Sequence, residues 1–237
     1  MNMLRACLIT ILVSAFFGEV RAGSITGEVR LIDEAPQIVS VKVSIVSVKV
    51  SKDQDYCGET LPNEIYLTGP GSALKNVVVF IDTPPSTSAG DPQEENILNN
   101  TGCLYSPRIL AMQKGEKLKV KNNDPKLHIP HSYRDERTVF NLSLPFKGTL
   151  IDATSRIREP GVLKVVCDTH AWMLAYIHVF DHPYFAVTDE HGAFTIPDLP
   201  AGTYILKAWH EDAGTKSQEI TIPESGNGRI VFEFKRR

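Results

Sequence analysis

No stretch between residues 23 and 237 carries an apolar repeat near 3.6 residues over a useful length. The apolar residues alternate instead in short runs separated by Gly, Pro, Asn and Asp, which commits the chain to β-structure. The segment from Gly23 to Ile32 alternates. Val39 to Ile45 alternates until the phase slips at Val46 and resumes through Val48 and Val50. Such a slip marks a bulge or separates two strands. Further strands are expected at Leu74–Asp82, Tyr105–Met112, Glu116–Lys121, Val139–Leu144, Gly161–Cys167 and Leu174–Phe180. The last third reads strand, turn, strand from Phe185 through Ile196, Leu199 to His210, Glu219 to Ile222 and Arg229 to Phe234. Residues 129–160 otherwise read as polar and irregular. The expectation is an all-β chain of packed sandwiches.

Residues 1–22 read as an export leader: Arg5, an apolar run from Ala6 to Phe17, then Val20-Arg21-Ala22 as a cleavage site. That run is short for a membrane span and no later segment approaches the roughly 20 apolar residues one requires, so no membrane span is expected and the protein is placed in the periplasm or secreted. A formal net charge of −3 gives nucleic acid and anionic membranes little to hold. Export leaves Cys57, Cys103 and Cys167, an odd number where thiols oxidise. The economical arrangement is a Cys57–Cys103 disulfide with Cys167 held by a metal; the alternatives are a lone reactive thiol and an intermolecular bridge.

Chemistry concentrates in Cys167-Asp168-Thr169-His170-Ala171-Trp172-Met173. A thiol, an imidazole and a thioether at C-x2-H-x2-M spacing form a soft donor set of the kind copper takes. Upstream, His128 and His131 follow the alternating strand and its Asn122-Asn123-Asp124-Pro125 stop, and either supplies the missing corner. Lys117, Lys119 and Lys121 share one strand face, read as solvated, with partner docking as the other use. His178, His182, His191 and His210 read as structural or surface histidines. There is no Ser-His-Asp spacing, phosphate loop, H-E-x-x-H or C-x3-C pair, so the chain reads as a non-enzyme.

The block from Asn122 to His128, followed by Cys167, His170 and Met173, resembles the cupredoxins, the small blue copper proteins. The resemblance implies a Greek-key β-sandwich binding one type 1 copper ion. His128, Cys167 and His170 would lie in the plane with Met173 as weak axial ligand, and His131 is the alternative ligand. It also implies a brace from Asn122 or Asn123, a backbone N–H donated to the cysteine sulfur, and an exposed edge of His170 within an apolar surround that includes Trp172. Ile129 departs from the asparagine common after the first histidine. The flanks, Gly27 to Val29 with Leu74 to Val79 and Thr188 to Leu206, resemble the two halves of a carboxypeptidase regulatory-like, transthyretin-type sandwich. The domains implied are a leader at 1–22, a discontinuous host at 23–94 and 183–237, and an inserted cupredoxin at 95–182, with the boundary loop near 83–95. The whole is similar to exported methylamine-utilisation-like proteins, in which a Cys-x-Tyr-x-Pro-His segment is common; here Arg108 replaces that histidine. The implied function is one-electron transport between redox proteins such as a cytochrome or periplasmic oxidoreductase. Copper handling or storage, and a cell-surface binding module on the same scaffold, are the alternatives.

Overall fold

The computed structural model describes residues 23–32, 47–85, 94–224 and 226–237. The leader, the phase slip at Val46 and the middle of the 83–95 loop lie outside the described residues. Among those described there are eighteen strands, one four-residue helix at Gln54–Cys57 and two single 3₁₀ turns, so the architecture is all-β and multi-sheet.

Two large cores divide the chain. One draws on residues from Ile25 to Ile81 and from Tyr184 to Phe234. Its three-stranded sheet runs Ala193–Leu199, Gly23–Leu31, Gly228–Phe234, and its four-stranded sheet runs Phe185–Val187, Val78–Ile81, Gly202–His210, Gly214–Ile222. Gly23–Leu31 pairs in parallel with Gly228–Phe234, a contact across nearly the whole sequence. Its alternation puts Ile25, Val29 and Leu31 inward. Gly27 permits this packing, since a Cβ there would lie 2.4 Å from the Ile230 carbonyl oxygen and 2.5 Å from the Phe194 ring.

The other core runs from Leu98 to Val179. Its five-stranded sheet has the order Arg137–Asn141, Pro130–Arg134, Gly161–Cys167, Leu174–Phe180, Ile109–Gln113. The facing four-stranded sheet has the order Leu150–Asp152, Lys117–Asn122, Glu95–Thr101, Leu104–Ser106. Pro130–Arg134 lies where an irregular segment is expected from sequence. Its inward positions are Pro130 and Ser132, so it has no aliphatic alternation to announce it. Within the lysine stripe, Lys119 pairs with Glu95 at 2.7 Å and Lys117 is exposed.

Arg108 joins the two regions. Its guanidinium donates from Nε and Nη2 to the Glu211 carboxylate at 2.5 and 2.7 Å, and both side chains are buried. A two-pronged pair of this kind fixes orientation as well as distance. His178, His182 and His210 are buried and His191 is exposed.

Cys57 and Cys103 form a disulfide, and Cys167 is free and buried. In non-reduced, metal-free protein spanning residues 23–237, thiol titration after denaturation is therefore expected to find one thiol. Three would contradict the pairing.

Candidate metal centre

The central strand Gly161–Cys167 is hydrogen-bonded on both sides, with Cys167 opposite Pro130 and Val166 opposite Leu174. The chain then turns in two tight steps: His170 N–H donates to the Cys167 carbonyl and Met173 N–H to the His170 carbonyl. Each step spans three residues. Cys167 and His170 are thereby brought to one cluster, and Met173 is fully buried in the core that contains Cys167.

His128 is fastened separately. It exchanges two backbone hydrogen bonds with Leu144. The buried Asn122 amide donates to the Lys126 and Leu144 carbonyls at 2.8 and 2.9 Å, while its oxygen accepts the Asp124 N–H. Asn122 is thus the brace that the turn sequence implies; Asn123 instead donates to Asn99 and Thr101.

The three donors converge in a buried triangle. Sγ of Cys167 is 3.9 Å from Nδ1 of His128 and 3.7 Å from Nδ1 of His170, and the two nitrogens are 3.1 Å apart. His128 and His170 are 0% exposed and Cys167 is 3%. A triangle with these edges has a centre about 2 Å from each corner, close to the usual length of a metal bond to imidazole or thiolate. The outer nitrogens fix the tautomers. His128 Nε2 is 3.0 Å from an Asp124 oxygen and His170 Nε2 is 3.0 Å from an Asp53 oxygen. A carboxylate only accepts, so each Nε2 carries a proton and each Nδ1 is the ring nitrogen left to take a metal or a further proton. Two ring nitrogens and a sulfur at these distances are held together by a proton or by a metal ion. Carboxylate-backed imidazoles are the usual supporting arrangement of metal ligands, and one thiolate with two imidazoles suits copper or zinc. The donor set therefore fits a transition metal.

Without metal, protons take that role. Burial by itself would push the Cys167 thiol up, but hydrogen bonds with His128, His170, Thr169 and the Ile129 N–H outweigh it and bring the thiol from 9.0 down to about 5. For His128, burial opposes the charge, yet Asp124 and the thiolate outweigh it and raise the ring from 6.5 to about 9. The metal-free site is an imidazolium–thiolate pair. Between pH 6.5 and 9 the folded and unfolded pairs hold the same number of protons, so stability is flat with respect to this pair. Below 6.5 the unfolded chain holds one more, and stability falls toward pH 5. Urea midpoints of metal-free protein and of Cys167→Ser at pH 8 and pH 5 test this: the wild type should lose more between the two, the loss common to both coming from the buried histidines His178, His182 and His210.

His131 stands outside the triangle. Its Nδ1 is 3.2 Å from both Asp168 oxygens and 2.8 Å from the Tyr133 hydroxyl, and its Nε2 is 2.9 Å from the Thr138 hydroxyl. It sits three residues beyond His128 on a strand whose inward side chains are Pro130 and Ser132. The predicted N–H to sulfur bond is present, from Ile129 at 3.4 Å. The expected exposed edge of His170 is absent: the ring is fully buried, with Asp53 at its Nε2. Trp172 lies beside it, ring centroids 5.1 Å apart, and donates its indole N–H to the Cys103 carbonyl.

Sequence reasoning missed both carboxylates. Asp124 looks like a turn residue, and Asp53 lies 117 positions from its histidine. The signal available was the Cys57–Cys103 pairing, which brings the segment around Asp53 next to the turn that carries Asp124.

Residues 161–229 match a family described as polysaccharide lyase family 4, domain II. No curated protein matches the chain. Among solved structures, the chain is similar to a novel purple cupredoxin from Nitrosopumilus maritimus, at 24% identity over 36% of this chain and 99% of that one, with a TM-score of 0.32. It is similar to a Cu-containing nitrite reductase from Thermus scotoductus at 18% identity, over 41% of this chain and 25% of that one, TM-score 0.32. It is also similar to a Cu(I) form of an amicyanin variant at 16% identity, over 43% of this chain and 97% of that one, TM-score 0.32. These are distant likenesses to cupredoxin folds, confined to about two fifths of the chain.

Proposed function

We propose that this chain is an exported, non-enzymatic protein in which His128, Cys167 and His170 would hold one copper ion, with Met173 as a weaker fourth donor, and that it passes single electrons between redox partners. The observation that carries the reading is the buried donor triangle with both imidazoles fixed as Nδ1 ligands by carboxylates. Bound there, copper supplies a one-electron couple. The chain's own residues do the rest. The two tight steps after Cys167 and the Asn122 brace hold the donors in one geometry, which keeps rearrangement between oxidation states small. The Ile129 N–H on the sulfur stabilises thiolate charge, favouring the reduced ion. Burial of all three donors excludes water and substrate, which favours outer-sphere electron transfer over chemistry on a bound molecule. The same burial weighs against a copper-handling site, which would need open exchange.

The leader sequence and the disulfide support a periplasmic or secreted location. Two cores drawn from the outer and middle parts of the chain support the reading of a cupredoxin at 95–182 inserted in a host at 23–94 and 183–237. Among the described residues no helix is long and apolar enough to cross a membrane. Spectroelectrochemistry of copper-loaded protein tests the function: one reversible one-electron wave, and electron exchange with a reduced cytochrome, are expected. Copper that is not reversibly reduced would overturn electron transport while leaving metal binding intact.

A further inference from the structure

Residues 47–62 belong to neither large core. They form a hairpin, Ser47–Lys49 against Thr60–Pro62, that carries the helix Gln54–Cys57 at its far end. Four ties press that end onto the metal centre. The disulfide joins Cys57 to Cys103. The Tyr56 hydroxyl donates to Asp124 at 3.0 Å. Lys126 Nζ lies 2.7 Å from Asp55 and 3.4 Å from Asp53. Asp53 Oδ2 accepts the His170 Nε2–H at 3.0 Å. Asp53 also adopts φ 53°, ψ 35°, a left-handed turn conformation that aspartate enters more readily than most side-chain-bearing residues. On the far side, Val50, Cys57 and Cys103 make a small core of their own, against which Leu61 and Trp172 pack.

We infer that residues 47–62 are a stapled cover that closes the His170 edge, and that Asp53 is the positioning residue through which the cover grips the metal centre. It holds the ring with Nδ1 turned inward and keeps reagents, chelators and docking partners off the imidazole. The cover stands on geometry alone; its effect on copper rests on the function proposed above.

The test uses residues 23–237 with the disulfide intact. Alkylation of Cys167 by iodoacetamide is followed by mass spectrometry in metal-free protein at pH 8.5, the same for every variant. Asp53→Ala, which removes one gripping bond, is expected to speed alkylation about tenfold. Glu95→Ala, which removes a carboxylate elsewhere, is expected to leave it unchanged. Asp53→Asn retains an acceptor and should lie between wild type and Asp53→Ala; it serves as the measurement if the alanine variant does not fold. Nitrogen-15 spectra of the wild type should show a slowly exchanging His170 Nε2–H. Equal alkylation rates in wild type and the folded Asp53 variants, or a rapidly exchanging ring proton in the wild type, would overturn the cover. In copper-loaded protein, loss of metal to a chelator should accelerate by about tenfold in Asp53→Ala. Failure of the wild type to take copper would overturn the function and leave the alkylation result standing.

Discussion

Replacing Cys167 with serine is expected to abolish the copper centre while leaving the fold in place. The sulfur is the one soft anionic donor of the triangle, so its loss removes the metal's strongest bond and the cysteine-to-copper charge transfer that would colour the protein. Copper affinity should fall by more than about 100-fold, beyond what loss of a supporting residue causes, as measured by competition with a chelator. The hydroxyl is smaller than the thiol and leaves the backbone pairing of the strand with both neighbours intact, so near-ultraviolet circular dichroism should be unchanged. A second consequence follows from protonation. Serine does not ionise in this range, so the variant should lose less stability than the wild type between pH 6.5 and 5, keeping the part set by the buried histidines His178, His182 and His210, whose charging burial opposes. Retention of the band, or an acid-side loss of stability equal to that of the wild type, would remove Cys167 from the centre.

Asp124→Asn should be the most damaging change outside the three donors. The Asp124 carboxylate is fully buried and accepts from the Gly102 and Cys103 N–H groups at 2.8 and 2.9 Å, from the Tyr56 hydroxyl and from His128 Nε2. These bonds hold its acid at about 2 although burial alone would raise it. An amide keeps one acceptor oxygen and turns an NH₂ toward donors, so some of the four are left buried and unpaired. The expected cost is about 3 kcal/mol in metal-free protein, read from urea unfolding. Metal affinity should fall roughly 10- to 100-fold because His128 is no longer held in its ligand tautomer. Asp53→Asn makes the useful contrast. Its carboxylate is partly exposed, so its effect on global stability should be under about 1 kcal/mol. Equal losses from both variants would contradict the distinction drawn between a buried anchor and a surface cover.

The parts of this molecule legible in its sequence are those governed by local pattern. Alternation in Gly23–Leu31 and Gly228–Phe234 follows which residues face the core, although nothing local announces that the two strands lie side by side in parallel. Pro130–Arg134 was illegible because neighbouring strands, not aliphatic side chains, define it. The candidate site divides in the same way. Cys167, His170 and Met173 stand close together in the chain, and two tight turns are enough to gather the first two. Residue type and the shared turn leave His128 and His131 both open, and the cupredoxin resemblance ranks His128 as ligand with His131 as the alternative; the direction each side chain takes from its backbone places His128 in the triangle and His131 outside it. Asp53 and Asp124 were hidden because carboxylates are common on surfaces, and only a cross-link between distant segments brings these two onto the histidines.

Whether the triangle of His128, Cys167 and His170 is a copper centre is tested most directly by titrating metal-free residues 23–237 with Cu(II), followed by visible absorption and electron paramagnetic resonance. One equivalent bound, with an intense thiolate-to-copper band and the narrow copper hyperfine splitting of a strongly covalent Cu–S bond, is the predicted result. Colourless, weakly held copper, or a site that takes zinc in preference and gives no band with copper, would contradict it.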